Sequence, residues 1–164
     1  MNSLPIVLIA AAFVASLPIP AVAGEIGGPA TEAVATARAA IEAGIAGDIP
    51  RLMAQYAPAC TFVDEFAPFF WSGTQSIEAY FAAGGQMYQQ TQHKGDKVRL
   101  GPPAFVYVSG DRAFVVEPLS GSATVRGEPY ASSGSYAFTL ARIDGGWKIT
   151  SQTWTKAREN MNPY

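Results

Sequence analysis

Over residues 97–156 the apolar period of this chain becomes two, and no other feature restricts its fold so much. The alternating runs cover residues 97–108, 112–125, 130–142 and 147–156. A period of two sends successive side chains to opposite faces, the pattern of a half-buried strand. Turn residues separate the runs: Ser109-Gly110-Asp111, Arg126-Gly127-Glu128-Pro129 and Asp144-Gly145-Gly146. Connections this short join antiparallel neighbours, so the four strands form a meander. Pro118 inside the second run predicts a bulge or an edge, since proline has no N–H to give a ladder.

The preceding half reads as helices around one hairpin. Residues 33–46 are rich in alanine, with Val34, Ala37, Ile41 and Ile45 as an apolar stripe. Thr31 is the expected N-cap and Gly47 the stop. Asp48 caps a second, short helix with Pro50 in its first turn. Residues 60–66 form a strand, Ala67-Pro68 a turn and residues 69–71 a return strand. Ser72-Gly73-Thr74 opens a third helix, with Ser72 or Thr74 as cap and Ile77, Tyr80, Phe81 and Tyr88 at helical spacing. Gly84-Gly85 predicts a bend or break in it. Three helices and a curved meander make an α+β domain with its helices on one face of the sheet.

The ends read differently. Leu4 to Leu17 is almost wholly apolar, and Ala21-Val22-Ala23 precedes Gly24. This predicts a signal peptide over residues 1–23 and a periplasmic or secreted protein. The segment has no Lys or Arg, so its positive end rests on the terminal amine. Residues 24–30 read as a flexible lead-in, 31–157 as the domain and 158–164 as a frayed tail. Cys60 is the only cysteine, which excludes an internal disulfide; with none after the apolar segment, no stable membrane anchor is expected. The net charge of −2, with no Lys/Arg cluster, excludes a nucleic-acid-binding face. His93 is the only histidine and lies in a polar stretch, where an exposed loop residue is expected. One His, one Cys and no clustered carboxylates give no metal site, and phosphate-binding glycine loops are absent. No cofactor is expected.

Asp64 is the acid that stands out. It alternates with Phe62 and Phe66, so the three share a strand face. In a pocket walled by Phe62, Phe66, Trp71 and Tyr80 the carboxylate would lose water, gain a raised pKa and serve as a general base or acid. The other reading is a strand-end carboxylate that holds hairpin amides. Glu65 points to the opposite face and reads as exposed or salt-bridged. Tyr136 alternates with Phe138 and Leu140, either as a pocket donor or as a core tyrosine, and Phe138 is expected to line the pocket. Glu117 faces the cavity or the outside. Gln152 and Trp154 share a phase and line the pocket or pack beneath it.

In order and spacing, these residues resemble the nuclear transport factor 2-like superfamily, with its ketosteroid isomerases and SnoaL-like cyclases. The residues that carry the resemblance are Gly47-Asp48-Ile49, Tyr56-Ala57, Thr61, Asp64, Ser72-Gly73-Thr74, Ile77 and the closing Gly146-Trp147-Lys148-Ile149. The resemblance implies a cystatin-like cone, a curved antiparallel sheet wrapped around a long helix, with a pocket at its open end. It places the isomerase's catalytic aspartate on Asp64. Ala40 stands where that enzyme has its oxyanion tyrosine, and Tyr136 where it has a protonated aspartate. The implied function is an isomerase, dehydratase or hydrolase acting on a small apolar molecule. The alternatives are a non-catalytic carrier of such a ligand and a homodimer paired through the outer sheet face.

Overall fold

The computed structural model describes residues 27–159, with side chains to residue 157. The expected signal peptide, the start of the lead-in and residues 160–164 of the tail lie outside the described residues. Helix α1 (Pro29–Ala46) starts at a proline, whose fixed φ suits a first turn. Gly28 occupies the cap position and Thr31 lies inside the helix, so the expected threonine cap is not formed. Gly47 ends α1 with a left-handed φ of 67°, its N–H turned back to the Ala43 and Gly44 carbonyls. Asp48 does cap α2 (Ile49–Met53): its Oδ1 accepts from the Arg51 N–H at 3.1 Å.

Strands β1 (Tyr56–Val63) and β2 (Phe70–Gly73) form the hairpin. Ser72 and Gly73 therefore belong to β2, and α3 (Ser76–Gln90) begins later than the spacing predicts. No side chain caps it. Instead, the Ser76 hydroxyl donates to the Cys60 carbonyl at 2.7 Å and ties the helix start to β1. α3 runs unbroken through Gly84-Gly85, contrary to the expected bend.

The first alternating run is two strands, β3 (Lys94–Leu100) and β4 (Phe105–Ser109), parted at Gly101-Pro102-Pro103-Ala104. Both pair with β5 (Arg112–Val125). β6 (Glu128–Ile143) and β7 (Gly146–Glu159) complete the meander, and β7 extends into the segment read as tail. The sheet order is β2-β1-β7-β6-β5-β3, with β4 also on β5. The curved sheet is mixed rather than wholly antiparallel, because β1 pairs with β7 in parallel. Pro118 makes no bulge against β6, and the pairing runs through it to Ser135. Its missing N–H faces the gap between β3 and β4, where the Gly101 and Ala104 N–H groups donate to the Pro118 and Val116 carbonyls, both at 2.9 Å. The irregularity lies in the neighbouring strands.

One face of the sheet carries the core. Val115, Phe138, Leu140 and Ile149 pack with Ala33, Ala37, Ile41 and Ile77 of the helices. Ile45, expected in the stripe, is exposed at the end of α1. A side-chain clamp joins helix to sheet. Glu117 is fully buried and accepts both Arg38 Nε and Nη2 at 3.1 Å, while Nη2 also donates to the Gly101 carbonyl at 2.7 Å. A buried carboxylate needs such a partner. One guanidinium thus holds α1, β5 and the β3–β4 gap together.

Candidate active site

Asp64 lies one residue beyond β1, in the turn that leads to β2. Its N–H donates to the Phe69 carbonyl at 3.2 Å, so the hairpin ladder continues locally past the strand end. Phe69 returns the chain with a φ of 70°, an unfavourable value for a bulky residue. The turn projects Asp64, Glu65 and Phe66 into the wall of a cavity of about 450 Å³. That volume falls within the range of drug-sized ligand sites, roughly 300–1,000 Å³.

The aspartate has the geometry of both expected settings. Oδ1 accepts from the Glu65 N–H at 2.7 Å, so one oxygen does hold a hairpin amide. Oδ2 accepts from the Tyr80 hydroxyl at 2.6 Å and belongs to the cavity. Desolvation raises the Asp64 pKa above the ordinary carboxylate value, against the opposing pull of the Tyr80 hydroxyl and the Glu65 N–H. Glu65 weakly adds to the rise and Lys156 opposes it.

Tyr80 is more than the wall residue its spacing predicts. Its hydroxyl donates to Asp64 and accepts from Gln152 Nε2 at 3.4 Å, while Gln152 Oε1 accepts from the Tyr56 hydroxyl at 2.5 Å. The four side chains form a directional chain, Tyr56 to Gln152 to Tyr80 to Asp64. Burial pushes the Tyr56 and Tyr80 phenols well above their usual pKa, so both stay protonated as donors. Tyr136 lines the same cavity beside Tyr80. Its phenol is also raised, by desolvation first and then by the Asp64 charge.

Three expected pocket residues stand behind the wall instead. Phe62 is fully buried and stacks under the Tyr80 ring, with centroids 4.4 Å apart. Trp71 backs Phe66 and Tyr80 at 5.2 and 5.1 Å. Phe138 is fully buried beneath Tyr136, at 5.8 Å. Strand alternation gave them the correct face, but the core took that end of it. Phe66, Tyr80 and Trp154 do line the cavity.

Trp154 and Gln152 reach it through an irregularity. The register of β7 on β6 shifts between Thr139 and Leu140, so Thr150 and Ser151 share one opposite residue. Both turn outward to the Thr139 hydroxyl, at 2.9 and 2.6 Å. The extra residue keeps Gln152 and Trp154 on the face of Ile149. Trp154 then lies against the backbone of Gly134, where any Cβ would come within 2.5 Å of its ring.

The sequence reading missed several wall residues. Glu65, assigned to the opposite face, lines the cavity and pairs with Lys156 at 2.7 Å. His93 is no exposed loop residue: its ring stacks on Tyr88 at 4.1 Å, its Nε2 meets Asp96 Oδ1 at 2.7 Å, and it lines the cavity. Gly44, Gly84, Gly85 and Gly121 make room in the same wall. Ala40 lines it without offering a donor. Among the described residues, no group of three or more His, Cys, Asp or Glu side chains is placed to hold a metal ion.

The family comparison covers the same ground as the cavity. A sequence model described as a SnoaL-like domain matches residues 34–154. Among solved structures, a ketosteroid isomerase-like protein from Erwinia carotovora atroseptica superposes with a TM-score of 0.62 at 21% identity, over 79% of this chain and 96% of that one. The CaMKII hub of S. rosetta gives 0.64 at 18% identity, over 80% and 98%. A type 2 hexachlorocyclohexane dehydrochlorinase, LinA, gives 0.64 at 13% identity, over 78% and 85%. At these identities the likeness is one of fold, and cystatin-like proteins of unknown function share it. No curated protein matches the chain.

Proposed function

This chain belongs to the SnoaL-like domain family, and from that premise we propose that it is a cofactor-independent enzyme whose Asp64 moves a proton on a small apolar molecule. The observation that carries the reading is the placement of Asp64, a carboxyl in a cavity wall with a raised pKa and a phenol donor on Oδ2. A carboxylate has about four lone-pair sites, so two accepted bonds leave room for a substrate proton. A base with a raised pKa holds an abstracted proton better near neutral pH. Tyr80 stabilises the anion before the transfer, and Tyr136 is placed to donate to an oxygen that gains charge. Isomerisation, dehydration and hydrolysis by an activated water all share this step.

A second reading is a carrier that binds the ligand without turnover. It is favoured by Ala40, which supplies no donor, and by the engagement of both Asp64 oxygens. Asp64→Asn separates the two. For an enzyme it lowers turnover about 10²–10⁴-fold, the usual weight of a general base, while ligand binding measured by calorimetry persists. Unchanged turnover removes Asp64 from the chemistry.

We propose further that a second copy covers the outer sheet face. Phe105, Tyr107 and Phe114 are exposed there, with Tyr107 directly opposite Phe114. Contiguous apolar surface of this kind marks an interaction site. The neighbouring outward residues Ala137, Thr139, Ser151 and Thr153 are small, which leaves the face flat enough for a copy of itself. Export remains part of the proposal and rests on the apolar segment and Ala21-Val22-Ala23. Among the described residues, no helix is long and apolar enough to cross a membrane.

A further inference from the structure

The cavity wall is one-sided in charge. Asp64, Glu65 and Asp96 contribute carboxyl groups, and among the described residues no Lys or Arg lines the cavity. Glu65 has a partner in Lys156, and Asp96 has His93. Among the described residues Asp64 has hydrogen bonds but no ion pair of its own. Beside it the wall is aromatic. Tyr80 touches the carboxylate, the Asp64 charge reaches the Tyr136 phenol, and Trp154 meets the Tyr136 ring with centroids 5.0 Å apart. Farther along, Tyr88 and Tyr130 flank His93.

An aromatic face is negative and attracts a cation, and a neighbouring carboxylate adds to that attraction. An anionic ligand would bring a second negative charge beside Asp64 with no Lys or Arg among the described lining residues to pair with it, a desolvation cost. A neutral ligand would deepen the burial of the aspartate and add no charge of opposite sign. We infer that the cavity takes an organic cation, an apolar body bearing one ammonium group, with the nitrogen seated beside Asp64 against the Tyr136 and Trp154 rings. The inference rests on the cavity being the ligand site and adds the class of ligand. It applies equally to the enzyme and to the carrier. For the enzyme, an ammonium next to the reacting carbon acidifies its C–H bond and eases the proton transfer assigned to Asp64.

Three probes that share a benzyl group test it on the full chain: benzyltrimethylammonium, its uncharged carbon isostere neopentylbenzene, and the anion phenylacetate. Trp154 in the wall gives a fluorescence signal, and calorimetry gives the affinity. The cation is expected to bind about tenfold more tightly than the isostere, the scale of a desolvated cation–aromatic contact, and phenylacetate more weakly than either. Asp64→Asn and Trp154→Leu should each reduce the preference for the cation over the isostere, read as the ratio of the two affinities in each variant. If the isostere or phenylacetate binds as well as the cation, the charge class is overturned and the apolar pocket stands. If none of the three binds, the ligand site falls with it.

Discussion

Asp64 and Tyr80 show how one side chain biases the titration of another that sequence does not place beside it. The Tyr80 hydroxyl is the largest influence that lowers the Asp64 pKa against the rise from desolvation. Tyr80→Phe removes that donor and keeps the ring, which stacks on Phe62. The Asp64 pKa should then climb further. Because a base works only when deprotonated, the acidic limb of the kcat/KM profile should move to higher pH, and a pH–rate profile reads it directly. A limb that stays in place would mean that the titrating base is another group. The aspartate itself was legible as an acid set between Phe62 and Phe66 on one strand face. Its donor was not. Helical spacing shows which side of α3 Tyr80 occupies, but the meeting of that side with the turn after β1 depends on tertiary packing. His93 gave no signal at all, because its burial comes from stacking on Tyr88 and from Asp96.

At the scale of elements, period and turn residues exposed the meander, and its departures from regularity show where pattern stops being informative. Gly101-Pro102-Pro103 cuts one alternating run into β3 and β4, and the Arg38–Glu117 clamp stands at that cut. Arg38→Met leaves Glu117 as a buried acid without its partner. It should cost about 3 kcal/mol, the lower end for breaking a buried pair, because Arg38 is one-third exposed. Denaturant melts measure the loss, and the double variant Arg38→Met/Glu117→Met should recover much of it. The extra residue of β7 has no mark in the sequence, since Thr150 and Ser151 read like any polar strand pair. α3 carries a compromise of a different kind. Gly84 and Gly85 weaken a helix that would be firmer with alanine, but they line the cavity. A Cβ at Gly85 meets nothing within 4 Å. Gly85→Ala should therefore stabilise the fold by about 0.5–1 kcal/mol, raise Tm by a few degrees and weaken ligand binding. Thermal melts and a binding titration, run together, check both halves.

For the molecule as a whole, the sequence showed an α+β cone and missed the partner of its first strand. Local turn chemistry joins consecutive strands, whereas the pairing of β1 with β7 spans the chain and has no local sign. The outer face gives the test at this scale. Tyr107, 61% exposed, is opposite Phe114 in the patch proposed to hold a second copy. Tyr107→Lys should leave the fold and the cavity unchanged and shift the mass measured by light scattering from dimer to monomer. A monomeric wild type would remove the dimer and leave the pocket reading untouched.

The same long-range pairing has a temporal side. β7 is the last of the described strands in chain order, yet it sits between β1 and β6 and brings Gln152 and Trp154 with it. Until it arrives, the nascent chain holds two separate half-sheets and a hollow without a floor. Contacts that join the two ends of a chain form late. Closure therefore waits until β7 has docked between the β1–β2 hairpin and the β3–β6 meander.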